Sequence, residues 1–198
     1  MSYEVKNFEH LIGTEGFSDQ LLKNHVTLYQ GYVANSNKVS DLLGGMLKEG
    51  KTNTPEYAEL KRRFGWEYNG MVLHEYYFGN ITKIGKPLAD GSEISEQIKK
   101  DFGSFENWEK DFKATGAMRG IGWVILYYDP CANKLVNVWI NEHDIGNLVG
   151  ALPLLVMDVF EHAFMVDYGL KKADYINAFF KAIDWETVDK RMMHFSKQ

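Results

Sequence analysis

Asp158-Val159-Phe160-Glu161-His162-Ala163-Phe164 places a carboxylate and an imidazole four residues apart inside an otherwise apolar run. The preceding stretch, Ala151-Leu152-Pro153-Leu154-Leu155-Val156-Met157, reads as a buried strand. A carboxylate at the mouth of such a strand is costly to bury unless it meets a cation, a metal or hydrogen-bond donors. Working back along the chain, two further apolar runs, Ile121–Tyr128 and Lys134–Ile140, flank the turn Asp129-Pro130-Cys131-Ala132-Asn133 and read as paired strands. The motif therefore closes a small antiparallel sheet of three strands.

Everything upstream of about residue 80 is helical in pattern. Ser18 is a candidate N-cap, and Leu21, Leu22, His25, Leu28, Tyr29, Tyr32 and Val33 recur on one face as far as a stop near Gly50. Thr54-Pro55 opens a second helix, a cap followed by proline at the first helical position, which runs to about Phe78. Two long helices joined by a short polar turn predict an antiparallel hairpin. Gly85–Ser92 reads as a linker. Short helices follow at about 94–101 and 105–115, and the chain is helical again from about 172. The fold class is α+β: an N-terminal helical hairpin domain, 1–88, and a C-terminal α/β domain, 93–198, carrying the three-stranded antiparallel sheet.

The 198 residues are 45% hydrophobic and 14% aromatic, enough for substantial cores. A net charge of −5 gives no footprint for nucleic acid. No run is long enough to cross a bilayer, and no apolar leader opens the chain. The single cysteine, Cys131, cannot form an internal disulfide. These features predict a soluble, cytoplasmic protein.

Six histidines are present, and four of them (His25, His74, His143 and His162) sit in apolar or aromatic surroundings. One such residue is more often a satisfied core histidine than a ligand. Four together with an interior aspartate point to a metal, and imidazole with carboxylate suits iron, manganese or zinc. His74-Glu75 superficially resembles the zinc-protease helix motif, but position 78 is Phe where that motif needs a second histidine.

At this point the chain resembles the iron/manganese superoxide dismutases along almost its whole length. Asp158–Ala163 is similar to the family signature D-V-W-E-H-A, with Phe160 in place of tryptophan. Tyr32–Asn37, Gly122-Trp123-Val124, Asp101–Phe105, Asp174-Tyr175 and Asp184-Trp185 resemble further family segments in the same order. The resemblance implies one iron or manganese ion per chain, cycling between its +2 and +3 states as superoxide is disproportionated. It implies His25, His74, Asp158 and His162 as ligands beside a water or hydroxide, between the two domains. Iron is favoured slightly over manganese, with use of either left open. Tyr32 matches the gateway tyrosine, Trp123 a wall of the site and Tyr77 its approach. Gly70 stands where many members carry a glutamine that bonds the metal-bound solvent, and His143 is expected to substitute for it. Glu161 is expected to reach the partner's His162 across the axis of a homodimer, with a tetramer also open.

Three departures from the family pattern carry expectations of their own. The separation from His25 to Tyr32 is seven residues, one fewer than usual, so the first helix should be regular where longer members need a bulge. Phe160 replaces the signature tryptophan. Tyr29 and Phe164 replace an interface histidine and tyrosine. For an anionic substrate, Lys23, Lys171 and Lys172 are candidate guiding charges. Two other readings compete. A mononuclear-iron oxygenase prefers two histidines and one carboxylate, so a third histidine counts against it. A non-enzymatic relative would more naturally lack Tyr32 or His143.

Overall fold

The computed structural model describes residues 2–195. Two long helices, α1 (Asp19–Lys48) and α2 (Pro55–Gly79), lie side by side as an antiparallel pair. Ser18 caps α1 by accepting the Leu21 N–H at 3.1 Å, and Thr54 caps α2 by accepting the Tyr57 N–H at 3.2 Å. As expected from the shortened spacing, α1 is α-helical without interruption through His25 and Tyr32. Both residues are buried on its inner face.

The second half begins with α3 (Glu93–Phe102) and α4 (Phe105–Ala117), capped by Ser92 and Ser104. Strands β1 (Gly122–Asp129), β2 (Lys134–Asn141) and β3 (Leu152–Asp158) form one antiparallel sheet in the order β2-β1-β3. Asp158 lies directly opposite Trp123, so both side chains leave the same face at the same end. The chain then makes a single 3-10 turn, Glu161–Ala163, and three helices, α5 (Met165–Tyr168), α6 (Lys172–Ala182) and α7 (Trp185–Phe195).

Strand β3 is an edge, and it carries Pro153 beside a register shift opposite Leu126 and Tyr127. Side chains complete that edge where a fourth strand is missing. Asn80, just past the end of α2, accepts the Val156 N–H at 2.9 Å and donates to the Val156 carbonyl at 3.2 Å. Arg191 of α7 donates to the Leu154 carbonyl at 2.6 Å. The middle of the edge is thus bonded from within the chain, which hinders pairing with another strand there. The same bonds tie the helix bearing His74 to the strand bearing Asp158.

The segment Gly85–Ser92 differs from the free linker expected of its composition. Lys86 bridges to Asp184, and a Cβ added at Gly85 would lie 1.9 Å from the Lys181 carbonyl oxygen. Glycine is required here because another backbone passes too close for any side chain. The start of the segment, Gly85-Lys86, is therefore a packed crossing, while Pro87, Ala89, Asp90 and Gly91 are exposed. Among the described residues no helix is long and apolar enough to cross a membrane.

Candidate metal centre

Four side chains from four elements converge: His25 from α1, His74 from α2, Asp158 from the end of β3 and His162 from the 3-10 turn. One ligand-type atom from each lies within 4.8 Å of all the others. The Asp158 Oδ2 is the hub, 3.0 Å from His25 Nε2, 3.1 Å from His162 Nε2 and 3.6 Å from His74 Nε2. Its other oxygen, Oδ1, accepts the Phe160 N–H at 2.8 Å, which fixes the carboxylate plane. The Tyr175 hydroxyl donates to the Asp158 carbonyl at 2.6 Å.

The electrostatics follow from burial and from this hub. Burial alone would raise the Asp158 carboxyl, but the His162 and His25 imidazoles outweigh it and hold Asp158 well below the usual carboxylate range. Burial pushes His25 down, as it does His74, where the neighbouring His25 adds to the effect. Burial also acts to lower His162, yet the adjacent Asp158 overrides it and raises that imidazole.

His74 reveals what the cluster lacks. Its Nδ1 donates to the Gly70 carbonyl at 2.6 Å, so its Nε2 carries the lone pair. That Nε2 is fully buried and has no hydrogen-bond partner among the described residues. An orphaned imidazole nitrogen facing two other imidazoles and a carboxylate is costly in isolation and satisfied by a cation. Three nitrogens and one oxygen suit iron, manganese or zinc, so the residues fit a bound transition-metal ion.

Around the cluster, Tyr32 stacks on His74 with ring centroids 5.1 Å apart, and Trp123 meets His74 edge-on at 4.9 Å. The Tyr32 ring fills the space above Gly70, where an added Cβ would come within 2.6 Å of Tyr32 Cδ1. A glutamine at position 70 is therefore excluded by Tyr32 itself. His143 reaches the site through a tight turn after β2, in which Glu142 takes a positive φ of 56° and Asn141 pairs with Ile145. Its Nδ1 lies 3.0 Å from Trp123 Nε1 and its Nε2 lies 2.8 Å from the Tyr32 hydroxyl. An indole N–H can only donate, so Nδ1 accepts and Nε2 carries the proton that His143 donates to Tyr32. Burial pushes His143 down to about 4, so it is neutral near pH 7. Both of its nitrogens thus have protein partners.

Replacing Trp123 with phenylalanine should release His143 Nδ1 and let the ring exchange tautomers. We expect a loss of about 1–3 kcal/mol for the abandoned buried acceptor. We also expect a shift of the His143 nitrogen resonances in metal-free protein, and unchanged resonances would contradict the tautomer assigned.

Other expected residues fall differently. Tyr77 was expected on the approach, but it is fully buried behind His25, with ring centroids 5.0 Å apart, and stacks on Phe179. One helical turn beyond His74, its position on α2 directs it into the core. Phe160 lies between two imidazoles, 4.9 Å from His143 and 5.3 Å from His162. Tyr29 and Phe164 are both turned inward, Tyr29 donating to Glu75 at 2.9 Å and Phe164 stacking on Tyr175. Glu161 is exposed beside His162. Lys172 donates to the Met118 carbonyl, and Lys23 and Lys171 are exposed, but none of the three lines the pocket over Tyr32. Asn80 and Arg191 carried no signal in the sequence, because their partners are distant in the chain, and Tyr175 stood out only within the Asp174-Tyr175 segment, with no role attached.

Comparison with known proteins agrees with this geometry. The family model described as iron/manganese superoxide dismutases, C-terminal domain, matches residues 90–191. An iron superoxide dismutase of Aquifex pyrophilus is 38% identical over 89% of this chain and 84% of its own length. A manganese superoxide dismutase of Haloferax volcanii is 34% identical over 94% of this chain and 93% of its own. An iron superoxide dismutase of Cupriavidus metallidurans is 35% identical, covering 96% of both chains. With family-level similarity spanning nearly the whole chain, and a buried three-histidine, one-aspartate cluster where the signature predicts it, this protein belongs to the iron/manganese superoxide dismutase family.

Proposed function

We propose that His25, His74, Asp158 and His162 hold the iron or manganese ion with which this superoxide dismutase converts superoxide to dioxygen and hydrogen peroxide. The observation that carries the reading is the orphaned, fully buried Nε2 of His74 within the four-donor cluster. The bound ion supplies the one-electron chemistry, alternating between its +2 and +3 states. The chain's own residues then control charge and protons. Three neutral imidazoles and one carboxylate leave a net positive centre that favours an anionic substrate.

His143, held in one tautomer by Trp123, donates to the Tyr32 oxygen, which leaves the Tyr32 hydroxyl hydrogen free to be offered elsewhere. Burial, reinforced by the Asp158 carboxylate, pushes Tyr32 well above the ordinary tyrosine value, so it keeps that proton near pH 7. Tyr32 is thus the proton-holding group of the pocket and His143 its positioning residue.

His25 and His74 come from the 1–88 hairpin, and Asp158 and His162 from the 93–198 unit, which we read as two domains meeting at the metal. We read the exposed Glu161 as reaching His162 of the partner subunit in an isologous homodimer, with a tetramer open. The exposed, unpaired Cys131 fits a reducing, cytoplasmic setting. Relatives named for iron and for manganese are both similar to this chain, and we retain the slight lean to iron. Metal analysis should find close to one iron or manganese ion per chain, sedimentation should give the mass of a dimer, and separate reconstitution should rank the two ions. A metal-replete protein without dismutation would overturn the reading.

A further inference from the structure

The pocket of about 310 Å³ over Tyr32 is lined by Thr27, Leu28, Gly31, Tyr32 and Asn35 of α1 and by Arg63, Trp66 and Glu67 of α2. Its electrostatics are unfavourable for an anion. The chain is net acidic, and the carboxylates of Asp158, Glu67 and Glu142 all act at the Tyr32 hydroxyl. Glu67 is the most awkward of these, being only 2% exposed with its Oε2 lacking a hydrogen-bond partner among the described residues.

Arg63 is the cation set against them. Its Nε donates to Glu67 Oε1 at 2.7 Å, and its guanidinium lies 3.9 Å from the centre of the Trp66 ring. These two contacts hold a half-exposed side chain in one place. Its terminal nitrogens make no hydrogen bond among the described residues, which leaves their N–H groups open to a ligand. The charge is also felt inside, because it acts to lower both Tyr32 and His143. Trp66 continues the path inward, its ring 5.5 Å from Tyr32 and 4.4 Å from His143.

We propose that Arg63 is the steering residue of this pocket: pinned by Trp66 and Glu67, its guanidinium gathers superoxide at the mouth and offsets the carboxylates along the way in. The proposal rests on the dismutase reading. It gives Arg63 the part for which Lys23, Lys171 and Lys172 were the sequence candidates.

The test uses Arg63→Met and Arg63→Lys, with a readout independent of turnover. Of the five tryptophans, Trp108, Trp123 and Trp185 are buried. In a Trp139→Phe background, quencher-accessible fluorescence therefore reports on Trp66. Iodide should quench this fluorescence less in Arg63→Met than in the parent, while neutral acrylamide quenches it equally or more because the ring loses its cover. Arg63→Lys should keep most of the iodide effect. A merely structural arginine would move both quenchers in the same direction, and that result would overturn the proposal.

In metal-loaded protein, Arg63→Met should lower the second-order rate constant about 10-fold at low ionic strength. The gap should close as salt screens the charge, with saturated turnover unchanged. A rate constant and salt dependence equal to those of the unaltered protein would also overturn it. If the unaltered protein shows no dismutation, the dismutase reading fails, and the iodide measurement still decides whether Arg63 gathers anions.

Discussion

Replacing Asp158 with asparagine is expected to yield folded protein that retains almost no iron or manganese and has lost dismutation by at least about 100-fold, the upper range even for changes one shell further out. The reason lies in how the carboxylate is held. Its Oδ1 accepts the Phe160 N–H at 2.8 Å, and only an oxygen can serve there. The asparagine carbonyl must therefore occupy that position, which turns the amide nitrogen toward His25 and His162, where Oδ2 now sits within 3.1 Å of both. A group that accepts becomes one that donates, and the negative charge is gone. The imidazoles can still accept hydrogen bonds from the new amide, so the fold should survive while the cation site does not. Metal analysis beside a circular dichroism spectrum separates the two, and an asparagine variant with full metal and activity would show that this carboxylate is not a ligand.

The second large effect is expected at a residue with no side chain. A Cβ at Gly70 would come within 2.6 Å of Tyr32 Cδ1 and 2.7 Å of Tyr32 Cε1. The obstacle is a ring rather than a flexible chain end, and that ring is fixed by its stack on His74 and its 2.8 Å bond to His143. Gly70→Ala must displace it. We expect a stability loss of about 1–3 kcal/mol from overpacking. We expect turnover to fall about 100-fold, the scale of a 1 Å misplacement near the chemistry, with metal content retained. Removing the hydroxyl as well, in Gly70→Ala with Tyr32→Phe, should add little, because both changes act through one group. Near-normal turnover in Gly70→Ala would show that the position of Tyr32 is not what matters.

These two residues also show what could be read from the chain. The hairpin, its Ser18 and Thr54 caps, the strands and the short helices follow from local periodicity and turn chemistry, and they lie where expected. The residue pattern pointed to a metal through four histidines and an interior aspartate, and the family resemblance selected His25, His74, Asp158 and His162 from them. Less legible was anything decided by contact between distant segments. Nothing local says that Tyr77 turns into the core, that Gly85 lies under the Lys181 carbonyl, or that Asn80 and Arg191 stand in for a strand. The partners of His143 belong to the same class: its tautomer depends on Trp123 and Tyr32, 20 and 111 residues away in the chain.

The four groups of the cluster are sealed to very different degrees. The side chains of His25, His74 and Asp158 are 1%, 0% and 0% exposed, whereas that of His162 is 22% exposed and rides on a three-residue turn. A single turn opens more readily than a long helix or a paired strand, so His162 has the least rigid support of the four within the chain itself. His74 and Asp158 stand on segments joined through Asn80 and Arg191, and His25 on the long helix α1. On the dimer proposed above, the partner's Glu161 would brace this turn, so the donor most open in the single chain is the one that the second subunit secures.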